Sequence, residues 1–125
     1  ATDYSDTETG PDLRRGLVSF LELVRPENLP ACKPRTNDIE RALCRHGRRT
    51  VNLDVGYLDV HRVVLASTKE ARQKIYMGGG VWADLTLYYE KGDFHPFPWT
   101  FADFREGLYN PFFLRARTAY KQALA

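Results

Sequence analysis

Polar residues that could form a site recur on two predicted strands of this sequence. Asn52 and Asp54 share one face of the first strand, and Asp84 and Thr86 share one face of the second, because alternate residues of a strand point to the same side. If the strands are neighbours in register, that face carries two carboxylates, an amide and a hydroxyl. Such a group could position a general base, bind a divalent cation or hydrogen-bond a polar ligand. The simpler interpretation is a solvated polar face, which antiparallel sheets commonly have.

Basic residues could form an anion site at the rim of the same sheet. They are spread among the predicted loops as Lys33, Arg35, Arg48, Arg49, Lys69, Arg72 and Lys74. A phosphate or a carboxylate is the ligand that such a rim would take. The alternative is that these side chains are simply solvated, because the formal net charge is only +2. The same low charge argues against nucleic acid as a partner.

The glycine run at positions 78–80 predicts a turn and not a phosphate loop. A phosphate loop needs Lys-Ser or Lys-Thr at the entry of a helix, whereas this run leads into the strand-forming residues Val81 and Trp82.

Histidine and cysteine give no metal signature. His46, His61 and His95 are isolated in the sequence, so we predict no metal site. Cys32 and Cys44 lack the spacing of a zinc or redox motif, and free thiols suit a cytoplasmic protein.

Composition and patterning predict one α+β domain, with a small and mostly antiparallel sheet backed by helices. The 125 residues are 43% hydrophobic, which is enough for one core, and no window approaches the ~18 apolar residues of a membrane span. Residues 1–11 are polar and acidic and are expected to form a flexible N-terminal arm, with the domain at residues 12–125. Residues 17–24 suit a helix or a strand equally well.

Helix signals lie in the middle and at the end of the chain. Asn37 and Glu40 resemble a capping box opening a helix over residues 37–46, and the prolines before it predict a loop over residues 26–36. Thr100 with Asp103 resembles the capping pair of a short helix, and Asn110 starts the C-terminal one.

Period-2 patterns predict the strands. They cover residues 51–55, 58–66, 81–89 and 94–97, with turns at Gly56 and at Lys91-Gly92. Residues 69–77 are expected to be a short helical or irregular piece.

Several short strings, taken together, resemble one family. They are Lys33 with Thr36-Asn37-Asp38-Ile39-Glu40, Val51-Asn52-Leu53-Asp54 with Gly56-Tyr57, Val64-Leu65-Ala66-Ser67 with Lys69, Lys74-Ile75-Tyr76, and Pro98-Trp99-Thr100 with Asp103. The resemblance is to the family called domain of unknown function 4416 and runs from about Gly10 to Tyr120. It implies an intracellular prokaryotic protein without an established activity. Members carry an additional N-terminal segment, which leaves open that this chain is a truncated form.

The resemblance also implies a set of candidate site residues. The recurrent polar residues of the family fall on Lys33, Asn37, Asn52, Asp54, Tyr57, Lys69 and Asp103. The family pattern favours Pro in the position of Val55 and Glu in that of Asp84.

The sequence supports different classes of function and leaves any cofactor and any enzymatic activity open. The first is a small-ligand or nucleotide/phosphate-binding domain. In it, Lys33 and Lys69 would contact an anion. The polar groups of the ligand would form hydrogen bonds with Asn52, Asp54 and Tyr57. The second is a hydrolase or transferase that uses Asp54 and Asp84 as paired carboxylates with a divalent metal. The third is a protein-interaction or homodimerisation module with an exposed aromatic patch. That patch would consist of Trp82, Tyr88, Tyr89, Phe94, Phe97 and Trp99.

Overall fold

Residues 2–8, 14–20, 23–44 and 53–125 are described by a computed structural model, and within them the chain forms a β-hairpin, a five-stranded antiparallel sheet and three α-helices. The strands are β1 (Thr2–Glu8), β2 (Arg14–Phe20), β3 (Gly56–Leu58), β4 (Arg62–Ser67), β5 (Lys74–Gly78), β6 (Val81–Glu90) and β7 (Asp93–Pro96). The helices are α1 (Leu29–Ala42), α2 (Ala102–Arg105) and α3 (Asn110–Leu124). The predicted α+β class with an antiparallel sheet is confirmed.

Strand β6 is the centre of the five-stranded sheet, whose order is β3-β4-β6-β5 with β7 also paired to β6. One edge of β6 pairs with β4. Its other edge pairs with β5 along residues 81–84 and with β7 along residues 87–90. The backbone at Leu85 and Thr86 is therefore left uncovered by either strand.

Helices cover both faces of the sheet. Val63 and Val64 are adjacent on β4, yet Val63 packs with Phe112 and Phe113 of α3, whereas Val64 packs with Leu29 of α1. Neighbouring residues of a strand point to opposite faces, so α1 lies on one face and α3 on the other. Phe104 of α2 joins the α3 cluster. The pairing of β4 with β6 shifts register between Val63, which is opposite Leu87, and Val64, which is opposite Leu85.

The beginning of α1 differs from the prediction. The loop expected over residues 26–36 is a 3-10 turn at Pro26–Asn28 followed directly by α1, which contains Pro34. Pro30 is tolerated because the backbone N–H groups of a first helical turn have no intrahelical partner. Pro34 removes one helical hydrogen bond, and the burial of Leu29 and Lys33 against the sheet offsets that loss.

Both predicted capping pairs are wrong. Asn37 lies inside α1, and the carboxylate of Glu40 is buried, where its Oε2 accepts a hydrogen bond from the backbone N–H of Leu53 at 2.5 Å. Phe101 is the N-cap residue of α2 and makes no side-chain capping bond. Thr100 instead hydrogen-bonds to Thr86 of β6. Glu40 and Thr100 thus form hydrogen bonds to residues distant in sequence and do not cap a helix.

Several strand predictions also need correction. Thr2–Glu8 forms β1 and pairs with β2, where the sequence predicted an irregular arm. Gly56 begins β3 and does not end a strand, and residues 53–55 before it are irregular. Residues 51–52 of that predicted strand lie outside the described residues. Lys74–Gly78 is strand β5 where a helical or irregular piece was expected. Strands β1 and β5 receive their backbone hydrogen bonds from the strands that follow them, β2 and β6, and the residue pattern of one segment does not reveal such a partner.

Other elements follow the prediction closely. The third predicted strand is β6, the turn at Lys91-Gly92 leads into β7, and α3 begins at Asn110. The second predicted strand corresponds to β4 and is antiparallel to β3, as expected. The glycine run at 78–80 makes the turn between β5 and β6, and all three of its residues have positive φ.

Candidate functional site

An open groove of about 490 Å³ lies between the start of β5 and the segment that follows β7. It is lined by Arg72, Gln73, Pro98 and Trp99. Its volume is within the range of roughly 300 to 1,000 Å³ that small-molecule sites occupy. Trp99 reaches β6 where β5 and β7 leave it uncovered, so the groove follows from the arrangement of the strands.

The indole of Trp99 is fixed at two points. Its Nε1 donates a hydrogen bond to the carbonyl oxygen of Leu85 at 2.7 Å, and its ring stacks on Phe97 with 4.8 Å between centroids and 4° between planes. Phe97 covers one face of the indole, yet 39% of Trp99 remains exposed. Trp99 is therefore a rigidly held lining residue of the groove.

The turn that carries Trp99 is also held to the sheet. Thr100 is buried, and its Oγ1 donates to the carbonyl oxygen of Thr86 at 2.7 Å and accepts from the N–H of Phe97 at 2.9 Å. The guanidinium of Arg105 donates to the carbonyl oxygens of Pro98 and Thr100 at 2.9 and 2.8 Å. This wall of the groove is therefore preorganised.

The opposite wall is the connection between β4 and β5. Lys74 Nζ donates to Ser67 Oγ at 2.9 Å and to the carbonyl oxygen of Lys69 at 3.2 Å, and the N–H of Lys69 donates to Ser67 Oγ at 3.1 Å. These bonds make the connection compact, and Arg72 lines the groove from the end of this connection. Arg72 is exposed, and its guanidinium has no hydrogen bond or ion pair with any residue in the described ranges.

Asp84 lies on β6, directly across from Lys74 of β5. Its Oδ1 is buried and has no hydrogen-bond partner within the described part of the chain. Burial raises the pKa of the Asp84 carboxyl above its ordinary value, and the charge of Lys74 acts in the opposite direction. The carboxylate thus costs stability when it is ionised.

Replacing Asp84 by asparagine is expected to flatten part of the pH dependence of stability. The pKa of this carboxyl is higher in the folded protein than in the unfolded chain, so the folded protein holds the proton to a higher pH. Proton binding therefore stabilises the folded protein at low pH. This stabilisation is lost as the pH rises through the folded-state pKa. Between pH 4 and pH 7, Asp84→Asn should therefore gain stability relative to the unmodified protein in urea unfolding. Glu106→Gln, at an exposed position, serves as the control. Equal pH profiles for all three proteins would contradict the assignment.

The predicted residues Lys33 and Asp54 meet on the α1 side of the sheet. Lys33 Nζ is 3.8 Å from Asp54 Oδ1, and Lys33 is only 9% exposed. The bond from the N–H of Leu53 to Glu40 fixes the segment that carries Asp54. Asn37 lies one turn after Lys33 on α1, so both occupy the same side of that helix.

Tyr57 lies on β3 and packs against the same cluster as Leu29. Burial, and then the charge of Asp59, raise the pKa of the Tyr57 hydroxyl, whereas Arg62 lowers it. The side chain is thus a half-buried neutral phenol on the α1 side.

The other predicted residues lie elsewhere. Lys69 is in the β4–β5 connection, and Asp103 is on α2, across the sheet from α1, with its Oδ2 3.4 Å from the hydroxyl of Tyr109. Asn52, Arg48 and Arg49 fall outside the described residues. The predicted set therefore divides among different regions of the fold.

The paired carboxylates are not brought together by neighbouring strands. Strand β4 lies between β3, which Asp54 precedes, and β6, which carries Asp84. Asp54 is next to Lys33, and Asp84 is across from Lys74. The two carboxylates therefore do not lie on neighbouring strands, which is the arrangement that the paired-carboxylate hypothesis started from.

The six aromatic residues do not form a continuous exposed patch. Phe94 is buried in the core, Tyr89 packs edge-on against it, and Arg117 lies 3.5 Å above the Tyr89 ring. Of the six, only Trp99 is exposed, and the others are buried or half-buried. Its role at the groove wall was not predicted, nor was that of Gln73 or Pro98. Pro98-Trp99-Thr100 is one of the strings that resemble the family, and it could have drawn attention to Trp99. The string alone does not reveal which part of the fold Trp99 contacts.

Histidine, cysteine and the acidic residues give no metal centre in the described part of the chain. No group of three or more such side chains is placed there to hold a metal ion. His95 Nε2 is hydrogen-bonded to the carbonyl oxygen of Glu90 at 2.9 Å, and His46 is not among the described residues. Cys32 and Cys44 are free thiols.

Comparison with known proteins identifies the family. None of the helices in the described ranges is long and apolar enough to cross a membrane. No curated protein and no solved structure matches the chain. The family model described as domain of unknown function (DUF4416) matches residues 1–120, which is nearly the whole chain. The chain therefore belongs to the DUF4416 family.

Proposed function

We propose that this domain binds a small anionic ligand with a flat ring in the groove between Arg72 and Trp99. The observation that carries the proposal is that Arg72, which has no partner among the described residues, and the rigidly held, partly exposed Trp99 line one groove of about 490 Å³. This is the small-ligand or nucleotide/phosphate class expected from the sequence, at a position formed mainly by other residues.

The lining residues suit such a ligand chemically. A guanidinium binds a carboxylate or phosphate through two parallel hydrogen bonds, and an indole face stacks on a planar ring. Gln73 can donate and accept hydrogen bonds, which would fix the orientation of the ligand. Lys69 and Lys74 add positive charge to the connection between β4 and β5 without lining the groove.

Charge balance favours this groove over the cluster on the α1 side. Lys33 already has the carboxylate of Asp54 beside it, so an anion bound there would compete with an internal ion pair. Arg72 has no such competitor among the described residues. A bound anion therefore gains more from Arg72 than from Lys33.

Thermal-shift screening with nucleotides, sugar phosphates and aromatic carboxylates tests the proposal, since a ligand that binds only the folded state raises the melting temperature. We expect a saturable rise with at least one phosphate or carboxylate that carries a ring. Arg72→Gln should weaken that ligand at least about tenfold, because a charge-assisted hydrogen bond is lost. Arg25→Gln, at another exposed arginine, is the matched control and should bind like the unmodified protein.

Tryptophan fluorescence locates the ligand independently. The chain has two tryptophans, so Trp82→Phe leaves Trp99 as the only indole reporter. A stacked ligand should change the emission of this variant with the same dissociation constant as the thermal shift. No stabilisation across the panel, or equal binding by Arg72→Gln and Arg25→Gln, would refute the proposal.

A further inference from the structure

Strand β5 is an open edge of the five-stranded sheet. It pairs with β6 on one side only, and its outer side is free of other described strands. Ile75 is 73% exposed and Tyr76 is 54% exposed. Because adjacent residues of a strand point to opposite faces, both faces of the sheet are uncovered at this edge.

The backbone of this edge is available for pairing. Ile75, Tyr76 and Met77 make no backbone hydrogen bond to any described residue outside the β5–β6 pairing. A register shift between Tyr76 and Gly78 limits the regular part to Lys74–Tyr76, which still suits a short extended segment. Such edges commonly recruit a further strand, with main-chain hydrogen bonds supplying affinity.

The lysine of β5 gives this edge little protection, although the register shift near the end of the strand shortens the part that can pair. A lysine on an edge strand normally discourages pairing. The Lys74 ammonium, however, is turned inward to Ser67 Oγ and the carbonyl oxygen of Lys69. The apolar side chain of Ile75 is therefore the most exposed feature of the strand.

The positive charge at the start of β5 favours a negatively charged partner. Lys69, Arg72 and Lys74 precede or begin β5, and Glu70 is the one acidic residue among positions 69–76. This local excess of positive charge attracts an acidic segment and repels a basic one.

We propose that the β5 edge binds an extended acidic segment of a partner protein as an additional strand. A second copy of the chain is the weaker candidate, because it would bring the two basic runs together. The open edge is also only about 17 Å long, too short by itself for the standard interface of about 1,600 Å². This site differs from the proposed ligand groove in using the backbone on the outer side of β5, and the two share the charge of Arg72.

Fluorescence anisotropy with two labelled heptapeptides tests the inference. One peptide alternates glutamate with valine, and the other has lysine in place of each glutamate. The glutamate peptide should bind saturably and the lysine peptide should not. Ile75→Glu should weaken the glutamate peptide at least about tenfold, because it places a like charge on the edge. Leu124→Glu is the matched control at the end of α3, where the side chain is also exposed, and should not change binding.

Hydrogen exchange distinguishes pairing from loose electrostatic association. Bound glutamate peptide should slow amide exchange within residues 74–78, which charge attraction alone would not do. Failure of both peptides to bind, equal binding of both, or unchanged exchange at residues 74–78 would overturn the inference. A concentration-dependent dimer in light scattering that Ile75→Glu abolishes would also overturn it, because the edge would then serve a second copy.

Discussion

Leu87→Ala is expected to lower the free energy of unfolding by about 3 to 4 kcal/mol. Leu87 is 1% exposed and lies in the middle of β6, with Val63 of β4 on one side and Pro96 of β7 on the other. It packs in the cluster that includes Phe94 and Phe113, and large aromatic neighbours cannot collapse fully into the space left by the lost atoms. Urea unfolding followed by circular dichroism measures the change.

The control for this prediction is Leu108→Ala. Leu108 is 55% exposed, so the same truncation there should cost less than about 1 kcal/mol. A loss at Leu87 as small as that at Leu108 would show that this cluster is not the principal core.

Gly56→Ala is expected to cost about 3 kcal/mol, for a steric reason. A Cβ atom at position 56 would lie 2.2 Å from the carbonyl oxygen of Val64 and 3.2 Å from the Cα of Leu65. Both atoms belong to the backbone of β4, so no side-chain rotation can relieve the contact. Strand β3 would have to move away from β4, and thermal and urea unfolding would both report the loss.

Gly80→Ala separates this steric effect from backbone strain. Gly80 has a φ of +77°, and an added Cβ would have nothing within 4 Å. Alanine at this position should therefore lower the free energy of unfolding only by the strain of the left-handed backbone conformation, which is about 1 to 2 kcal/mol. If Gly80→Ala proved as damaging as Gly56→Ala, the close approach of β3 and β4 would not be the dominant cause.

The length of β6 links the fold to the proposed ligand groove. β6 has 10 residues, whereas β5 has 5 and β7 has 4. Both shorter strands share one edge of β6 and leave the carbonyl groups of Leu85 and Thr86 for Trp99 and Thr100. The groove wall is thus built from side-chain bonds that replace a missing stretch of sheet.

The sequence alone predicted the elements whose signals are local. The alternation of Val81, Ala83, Leu85 and Leu87 identified β6, and the Lys91-Gly92 pair identified the hairpin turn into β7. Asn110 before a proline identified the start of α3. Each of these depends on neighbours in sequence, so the α+β class could be predicted without tertiary contacts.

Tertiary structure decided the features that join distant residues. Helix α1 continues through Pro34 because its inner side is buried against the sheet, and β5 is a strand because β6 pairs with it. The sequence grouped Asp54 with Asp84 on the condition that their predicted strands were neighbours, but β4 lies between β6 and β3, which Asp54 precedes. Arg72 and Trp99 line one groove although 26 positions separate them, because β5 and β7 pair with the same edge of β6. Strand order is set by non-local hydrogen bonds and packing, which periodicity along the chain does not encode.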